Sequence, residues 1–384
     1  MRILHAFKVF PPDVRGGIPE VIAYLARGMS PRHESSVLVA RDMGFGRSYV
    51  WNGIQVRATS SLGTILSTPL APTFPTALAR LSRTADLVAL HQPFPLNDLG
   101  AVIGLPKRAA VVLYWHSEIL GREPLVRMLE PLLRHTVKRA DQIIVSDPAL
   151  ITVSPMLRDQ AHKCAVVSFG IDASYWGTLD NDEQQRVNEL REKHPRLIVT
   201  TGRLVPYKGF SVLIDAVRRV DATVAIIGSG PLHAELESMA QKLGVTCNIL
   251  LPGSLSRSEL KVMLHAARVY AMSSITFAET FSIAQVEAMA AGLPVINTDL
   301  PTGVPHVARH GLEGLTVPPN DPQQLAKAIN QLLADPELSR RLGAAGRERA
   351  ATEYGLSKFI SRTEDVYNAV VAARSREFSR RKVS

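Results

Sequence analysis

Short β-rich runs alternate with helical patterns along this chain, and the alternation occurs twice. Strands separated by helix-length segments cannot pair as hairpins, so this order forces parallel sheets covered by helices. In the first half the spacing predicts strands at Arg2–Val9, Ser36–Ala40, Leu87–His91, Ala110–Trp115, Gln142–Val145 and Ala165–Ser168. Helices are expected at Ile18–Met29, Glu123–Arg139 and Pro148–Asp159. The second half repeats the pattern with strands at Leu197–Thr201, Ala222–Ile227, Val245–Leu250, Val269–Ser273, Pro294–Asn297 and Gly314–Val317. Pro336–Tyr354 and Ser357–Ala373 read as terminal helices. Between the halves, Asp172–His194 is polar and acidic without a strand pattern, and reads as a linker. The expected class is therefore α/β, with two Rossmann-like domains facing each other across a cleft lined by the carboxyl ends of both sheets. The boundaries are 1–170, a linker at 171–194, 195–355, a C-terminal helix at 356–373 that packs back on the N-terminal domain, and a basic tail at 374–384.

A chain of 384 residues, 46% hydrophobic, has enough apolar material for two ordinary domains. Cys164 and Cys247 lie far apart, form no metal or redox spacing, and read as small core residues in a reducing compartment. Met1 leads directly into an apolar run without a basic segment or cleavage site, so no signal peptide is expected. No apolar stretch approaches the roughly 18 residues a membrane span needs. The expectation is a cytoplasmic protein. Residues 1–170 carry 19 Lys and Arg against 12 Asp and Glu, which suggests an anionic partner such as a phosphate-rich substrate, a membrane surface or nucleic acid.

Four places carry chemistry. Gly16-Gly17 follows the first strand and opens a helix, where backbone N–H groups can approach an anion closely. It is not a G-x-G-x-x-G fingerprint, and neither is Gly228-Ser229-Gly230, which disfavours a nicotinamide enzyme. Arg203 and Lys208 stand on a Gly- and Pro-bounded turn after a second-half strand. A guanidinium fork and an ammonium five residues apart suit a diphosphate, although two solvated loop cations would look the same. Glu279 and Glu287 are eight residues apart in Glu-Thr-Phe-Ser-Ile-Ala-Gln-Val-Glu. Glu287 falls on an apolar helical face beside Ile283, Ala290 and Ala291, where a carboxylate is costly unless donors meet it. It is either a satisfied core glutamate or an acceptor for the hydroxyls of a ligand at the helix N-terminus around Phe281–Ile283. His116 closes the strand Ala110–Trp115, at the end where Rossmann-type ligands bind, or else it is structural. Asp180-Asn181-Asp182 is formally an Asp-x-Asp metal motif but follows no strand, so it reads as a helix cap. No metal site is expected.

Ala58–Ala79 runs 22 residues without a charge, with prolines at 69, 72 and 75 that exclude a continuous helix. It is a packed loop or an interfacial surface. Helix Glu123–Arg139 sets Leu125, Leu129, Leu132, Leu133 and Val137 against Arg127, Arg134, Lys138 and Arg139, as surface helices and peripheral membrane helices both do. The tail with Arg380, Arg381 and Lys382 reads as a solvated, disordered end.

Taken together, these motifs resemble the family-4 retaining glycosyltransferases (glycosyl transferase group 1) of the GT-B fold over nearly the full chain. The motifs are Gly16-Gly17, Trp115-His116-Ser117, Phe169-Gly170-Ile171-Asp172, Gly202-Arg203-Leu204 with Lys208-Gly209, Gly228-Ser229-Gly230-Pro231, and the Glu279–Glu287 pair continuing through Ala-Met-Ala-Ala-Gly-Leu-Pro. The resemblance implies that Arg203 and Lys208 hold a donor diphosphate, that Glu279 contacts hydroxyls of the transferred sugar, and that Glu287 contacts the ribose. It likewise implies His116 beside the sugar, Gly16 and Gly17 near the diphosphate, Leu255 near the base, and the backbone of Phe281, Ser282 and Ile283 at the phosphates. The family often has glycine where Ser282 stands, so a Cβ is added at a place of close approach. Tyr114–Glu118 and Asn297–Pro305 further resemble bacterial mannosyl- and deoxymannosyltransferases that use GDP-sugars.

The implied activity is metal-independent, cofactor-free transfer of a hexose with retention, the leaving phosphate taking the acceptor proton. Implied partners are a nucleotide-diphosphate sugar donor (a GDP-sugar favoured), a polyprenyl-diphosphate-linked or other lipid-linked sugar acceptor, and an anionic membrane surface. That places the protein on the inner face of the cytoplasmic membrane, in exopolysaccharide or O-antigen synthesis. A non-catalytic nucleotide-sugar-binding subunit of a transferase complex is the alternative. Intact Arg203, Lys208, Glu279 and Glu287 argue against it. Nucleic-acid binding would rest on charge alone, since no aromatic-basic platform accompanies it.

Overall fold

The first apolar run forms β1 (Arg2–Ala6), with Ile3, Leu4 and Ala6 buried, and it becomes an interior strand of a parallel sheet. This and all that follows is from a computed structural model, which describes residues 1–14, 16–65, 68–118 and 123–383. The side chains of 123–126 and 381–383 lie outside that description, and with them Leu125, Arg381 and Lys382. The chain divides into two compact units, Met1–Phe169 with Ser357–Ser384, and Gly170–Leu356.

In the first unit β1 is followed by β2 (Glu34–Ala40), β3 (Arg47–Trp51), β4 (Ile54–Thr59), a small hairpin of β5 (Thr64–Ile65) and β6 (Thr68–Pro69), β7 (Leu87–Gln92), β8 (Ala110–Trp115), β9 (Gln142–Val145) and β10 (Cys164–Val166). The main sheet has the order β10-β9-β8-β7-β1-β2-β4-β3, parallel except for β3 against β4. That β3–β4 hairpin lies where no strand is expected from the alternation. Its signal is Asn52-Gly53, both at positive φ (46° and 82°), the pair that the tightest hairpin turns require. The uncharged segment is neither wholly packed nor wholly surface. Ala71, Phe74 and Leu78 are buried, while Leu62, Ile65 and Leu70 are exposed. A helix forms only at Phe74–Leu81, with Pro75 in its first turn.

The expected helix Pro148–Asp159 is two helices, Ala149–Val153 and Pro155–Arg158. Pro155 cannot continue the first, and Ser154 Oγ caps the second by accepting from Leu157 N. Helix Glu123–Arg139 has the expected bounds, but Arg139 is not a free surface cation. It donates to the carbonyls of Pro106 and Ala109 and pairs with Asp141. The basic tail is not a disordered end either. Helix Leu356–Val383 runs through it, and Arg374 is held by Asp141 at 3.2 Å and Glu377 at 3.0 Å. This helix belongs to the first unit, where Tyr367 Oη meets Tyr114 Oη at 2.7 Å and Glu364 pairs with Arg32 and His33.

The second unit contains β11 (Leu197–Thr201), β12 (Thr223–Ile227), β13 (Ile249–Gly253), β14 (Val269–Ala271), β15 (Val295–Thr298) and β16 (Gly314–Val317), all parallel in the order β13-β12-β11-β14-β15-β16. This is the 3-2-1-4-5-6 order of nucleotide-binding sheets, with its switch point between β11 and β14. β13 starts later than expected because a single turn at Thr246–Asn248 intervenes. Residues 171–194 are not an extended linker. They form helices Ala173–Gly177 and Asn181–Lys193 inside this unit, with Trp176 and Val187 buried and Lys261 Nζ 2.5 Å from Glu183 Oε2. Asp180 caps the second helix in a reciprocal capping box with Glu183, which accounts for the Asp-x-Asp. The cysteines are not core residues: Cys247 is exposed and Cys164 half-buried, its thiol pushed by burial up to about 11.

Asp98 lies in the first turn of helix Pro95–Gly104 and is buried at 5% exposure, accepting from Gln92 Nε2 at 2.7 Å. Burial pushes its carboxyl up to about 7, against the opposing effect of hydrogen bonds from Thr136 and Gln92. The folded chain therefore keeps a proton that the unfolded chain releases near pH 3.8, and the stability this confers is lost as pH rises through about 7. Asp98→Asn, with nothing to ionise, should gain on the parent by on the order of 1–3 kcal/mol between pH 5 and pH 8. Urea denaturation at the two pH values measures this; an equal difference at both would contradict the assignment.

Candidate functional site

Ligands of sheets with this strand order bind outside the carboxyl ends of the strands, at the switch point. Here the loops after β11 and β14 deliver Lys208 and Glu279 to one another. Lys208 Nζ lies 2.6 Å from Glu279 Oε2, and the two side chains are only 12% and 9% exposed. Ser274 Oγ donates to the same carboxylate oxygen at 2.9 Å, and Thr302 Oγ1 holds the Glu279 carbonyl at 2.8 Å. Burial works against the charge of Lys208, but the Glu279 carboxylate more than offsets it and raises the ammonium above the ordinary lysine range. The amine is charged at any physiological pH.

Glycine sets the close approach of the loops. A Cβ on Gly228, at φ 144°, would meet the Gly202 carbonyl oxygen at 2.0 Å, and one on Gly209, at φ 62°, would meet that of Ser273 at 2.1 Å. The backbone bonds Leu204 N to Ser229 O and Ile275 N to Tyr207 O complete the interlock. Arg203 rides on this loop, exposed, and makes no hydrogen bond or ion pair with a described residue. Tyr270, on β14, is buried with its hydroxyl 3.3 Å from Thr201 Oγ1. Burial raises its pKa, Lys208 opposes the rise, and Glu279 and Glu287 add to it.

Helix Ile283–Ala290 starts at Ser282, whose φ of 63° and ψ of 86° are left-handed. A residue with a Cβ is strained there, which accounts for glycine being common at this place in the resembled family. Ser282 Oγ is buried and has no hydrogen-bond partner among the described residues. Phe281 packs its ring edge-on against Tyr354, with centroids 5.5 Å apart. The backbone N–H groups at this helix start stand at the positive end of the helix dipole, where anions are stabilised. Two fully buried amides secure it from behind. Asn297 Nδ2 donates to Gln285 Oε1 at 3.0 Å and to the carbonyls of Val304 and Ala308, while Gln285 Nε2 donates to Phe281 O. Glu287 is half-buried one turn along the same helix, and Leu255 is half-buried just after β13.

His116, Gly16 and Gly17 belong to the first unit. Gly16 and Gly17 are exposed at the start of helix Gly17–Met29, with open space where a Gly16 Cβ would stand. His116 is 3% exposed, its Nε2 2.9 Å from His91 Nδ1, and burial lowers its pKa to about 3. Its ring is neutral at working pH. The second unit thus brings together Arg203, Lys208, Glu279, Phe281, Ser282, Ile283 and Glu287 around one switch point. Tyr270, Gln285, Asn297 and His91 were not legible as site residues, since each sits in an apolar strand or helix run and reads as core; Ser274, in the loop after β14, carries no motif of its own.

Residues 16–170 match the model of the glycosyl transferase 4-like domain, and residues 181–349 match that of the glycosyl transferases group 1. The chain is 27% identical to the O-antigen chain mannosyltransferase C of Escherichia coli, over 98% of this chain and 100% of that one. It is 28% identical to the D-rhamnosyltransferase WbpZ of Pseudomonas aeruginosa, over 91% of each. Among solved structures, Anabaena Alr3699/HepE in complex with UDP and glucose superposes with a TM-score of 0.77 at 19% identity, covering 95% of this chain and 99% of that one. Two domain models matched in series, a nucleotide-binding strand order and a buried Lys–Glu pair at its switch point lead to one family: the chain belongs to the group 1 glycosyltransferases and has the GT-B fold.

Proposed function

We propose that this enzyme moves a hexose, mannose or a deoxymannose, from a nucleoside-diphosphate sugar to a lipid-linked saccharide in the synthesis of cell-surface polysaccharide. The observation that carries the donor half is the Lys208–Glu279 pair, two charges held out of water at the carboxyl ends of β11 and β14. Two buried charges are retained at a cost unless something uses them. A donor diphosphate supplies that use. Its oxygens would take Lys208 and the free fork of Arg203, with the N–H groups of Ser282 and Ile283 at the helix start. These cations neutralise charge that grows as the nucleoside diphosphate leaves, the step at which fixed electrostatics lowers a barrier most. Glu279 then turns to hydroxyls of the sugar, Glu287 to the ribose, and Leu255 to the base. No ionised residue is needed to take the acceptor proton, which passes to the leaving phosphate.

A GDP-sugar is favoured by the likeness to the O-antigen mannosyltransferase and the D-rhamnosyltransferase. The same likeness supports a polyprenyl-diphosphate-linked acceptor and a cytoplasmic enzyme peripheral to the inner face of the membrane. No described helix is long and apolar enough to cross a membrane. Surface chemistry of the first unit supports the peripheral reading. The backbone bridge between Gly44 and Ser61 joins two loops that expose Met43, Phe45, Leu62 and Ile65, with Phe45 at 90% and Leu62 at 79%. At their base Arg41 and Arg47 pair with Asp13, and Asp42 Oδ1 accepts from Thr64 Oγ1, so the charges there balance. Exposed apolar tips of this kind suit insertion at a membrane interface.

Lys208→Ala should lower kcat by about 10²–10³, the loss of one preorganised charge worth roughly 2.7–4 kcal/mol. The variant leaves Glu279 buried with only Ser274 as partner, so the double variant Lys208→Ala/Glu279→Gln separates folding from catalysis. It should melt cooperatively and remain inactive in a donor-hydrolysis and transfer assay across GDP-, UDP-, ADP- and dTDP-sugars. Near-normal turnover in either variant would remove Lys208 from the mechanism. For the membrane contact, Phe45→Ser/Leu62→Ser should reduce co-sedimentation with phosphatidylglycerol vesicles several-fold while leaving hydrolysis of the soluble donor unchanged; unaltered sedimentation would assign the contact elsewhere.

A further inference from the structure

A serine directly before a helix ordinarily turns its side-chain oxygen onto a backbone N–H of the first turn. Ser154 and Ser256 do this for helices Pro155–Arg158 and Arg257–Ala266, from extended backbone at φ −81° and −65°. Ser282 stands at the same place before helix Ile283–Ala290, and no side-chain hydrogen bond caps that helix. Its left-handed backbone, at φ 63° and ψ 86°, lies outside the range from which a side chain caps. The serine therefore does not serve the helix it precedes.

Its hydroxyl finds no other use within the chain. Ser282 is only 9% exposed, and Oγ is buried without a hydrogen-bond partner among the described residues. The neighbouring hydroxyls differ in this respect, since Ser274 Oγ and Thr302 Oγ1 both bond to Glu279. A buried hydroxyl without a partner is costly, and so is a Cβ in the left-handed region. Glycine at this position would avoid both costs. Two separate penalties thus fall on one residue, at the carboxyl end of β14 and at the positive end of a helix dipole. Strain and unpaired polar groups that coincide in this way mark places where a ligand is held.

We propose that the Ser282 hydroxyl is itself a ligand of the donor diphosphate, donating to a phosphate oxygen beside the backbone N–H groups of Ser282 and Ile283. The inference rests on reading this helix start as the diphosphate site, and adds a side-chain donor that glycine in the same place could not supply. A phosphate oxygen is the acceptor that fits. It carries the negative charge that a helix start favours, and it has lone pairs for an O–H as well as an N–H. A hydroxyl that donates to an ionised oxygen also forms a stronger bond than one that meets a neutral group. Residues 272–282 form neither helix nor strand, so movement of this loop alone uncovers the hydroxyl. Binding then offsets a cost that the free protein carries.

The test is calorimetric titration of the full chain, unsubstituted and as Ser282→Ala, Ser282→Gly and Lys208→Ala, with GDP and with GDP-mannose. Should GDP fail to bind, UDP, ADP and dTDP with their glucose esters take its place. Both Ser282 variants keep the backbone N–H at position 282, so only the side chain is tested. Ser282→Ala should raise the Kd for GDP by about ten- to a hundredfold, the loss of one bond to a charged group. The factor should be the same for GDP-mannose, because the lost bond is to phosphate. Without ligand, both variants should melt no lower than the parent, and Ser282→Gly highest, since it also relieves the backbone. An unchanged Kd in folded Ser282→Ala, while Lys208→Ala weakens GDP binding, overturns the inference and leaves the diphosphate site standing. A loss confined to the nucleotide sugar overturns it too, by assigning the hydroxyl to the sugar. So does a Ser282→Ala that melts several degrees below the parent, which would show the hydroxyl bonded within the protein. Binding of none of the four nucleoside diphosphates overturns the donor-site reading and this inference together.

Discussion

The buried contact of Lys208 with Glu279 organises the second unit. An ammonium and a carboxylate taken out of water hold each other only where geometry is tight and spare lone pairs are met. Ser274 meets one of them, and the backbone around Thr302 fixes the approach of Glu279. The tightness comes from glycine. Gly209 and Gly228 let the loops after β11, β12 and β14 touch backbone to backbone, at distances no side chain would allow. A cation is thus held, paired, at the mouth of a sheet whose strand order already directs ligands to that point. Under the proposed function, an incoming diphosphate would exchange with a carboxylate for a charge that is in place beforehand, which is what preorganisation means in electrostatic catalysis.

Support runs outward from the pair. Helix Ile283–Ala290 is short, and a short helix directs its positive end reliably only if its first turn is anchored. Gln285 and Asn297 provide that anchor with amides that have no contact with water, tying the helix start to the turn at Val304–Ala308. Ser282 bears the resulting strain in a left-handed conformation. In the first unit a comparable inner layer exists behind His116, built of His91, His5 and Tyr114 and closed by Tyr367 from the C-terminal helix. In both units buried polar groups that bond to one another lie behind a residue of the candidate site.

Much of the architecture was legible because it rests on period and order. β8, β9, β11 and β16 have the bounds their β-rich runs predict, since a strand buried on both faces is an uninterrupted apolar run between turn residues. Arg203 and Lys208 were legible as charges on a Gly- and Pro-bounded turn after a strand, and Glu279 through its eight-residue spacing from Glu287. What escaped follows a different logic. The β3–β4 hairpin depends on two residues, Asn52 and Gly53, inside a stretch with exposed, weakly apolar strands. Residues 171–194 look like a linker because helix Asn181–Lys193 buries little beyond Val187 and Glu183, so polarity hid a packed element. The C-terminal tail is charged, yet Arg374 finds Asp141 and the helix continues. Gln285, Asn297, Tyr270 and His91 lie in apolar runs, and only the fold shows that each one meets a partner from a distant segment.

The most direct measurement is a crystal structure with a bound nucleoside-diphosphate sugar. The pyrophosphate oxygens should lie within hydrogen-bonding distance of Lys208 Nζ, the Arg203 guanidinium and the backbone N–H groups of Ser282 and Ile283, with Glu279 swung from Lys208 to the sugar. A pyrophosphate found away from these groups, or held by a divalent ion on acidic side chains while Lys208 stays paired with Glu279, would contradict the account.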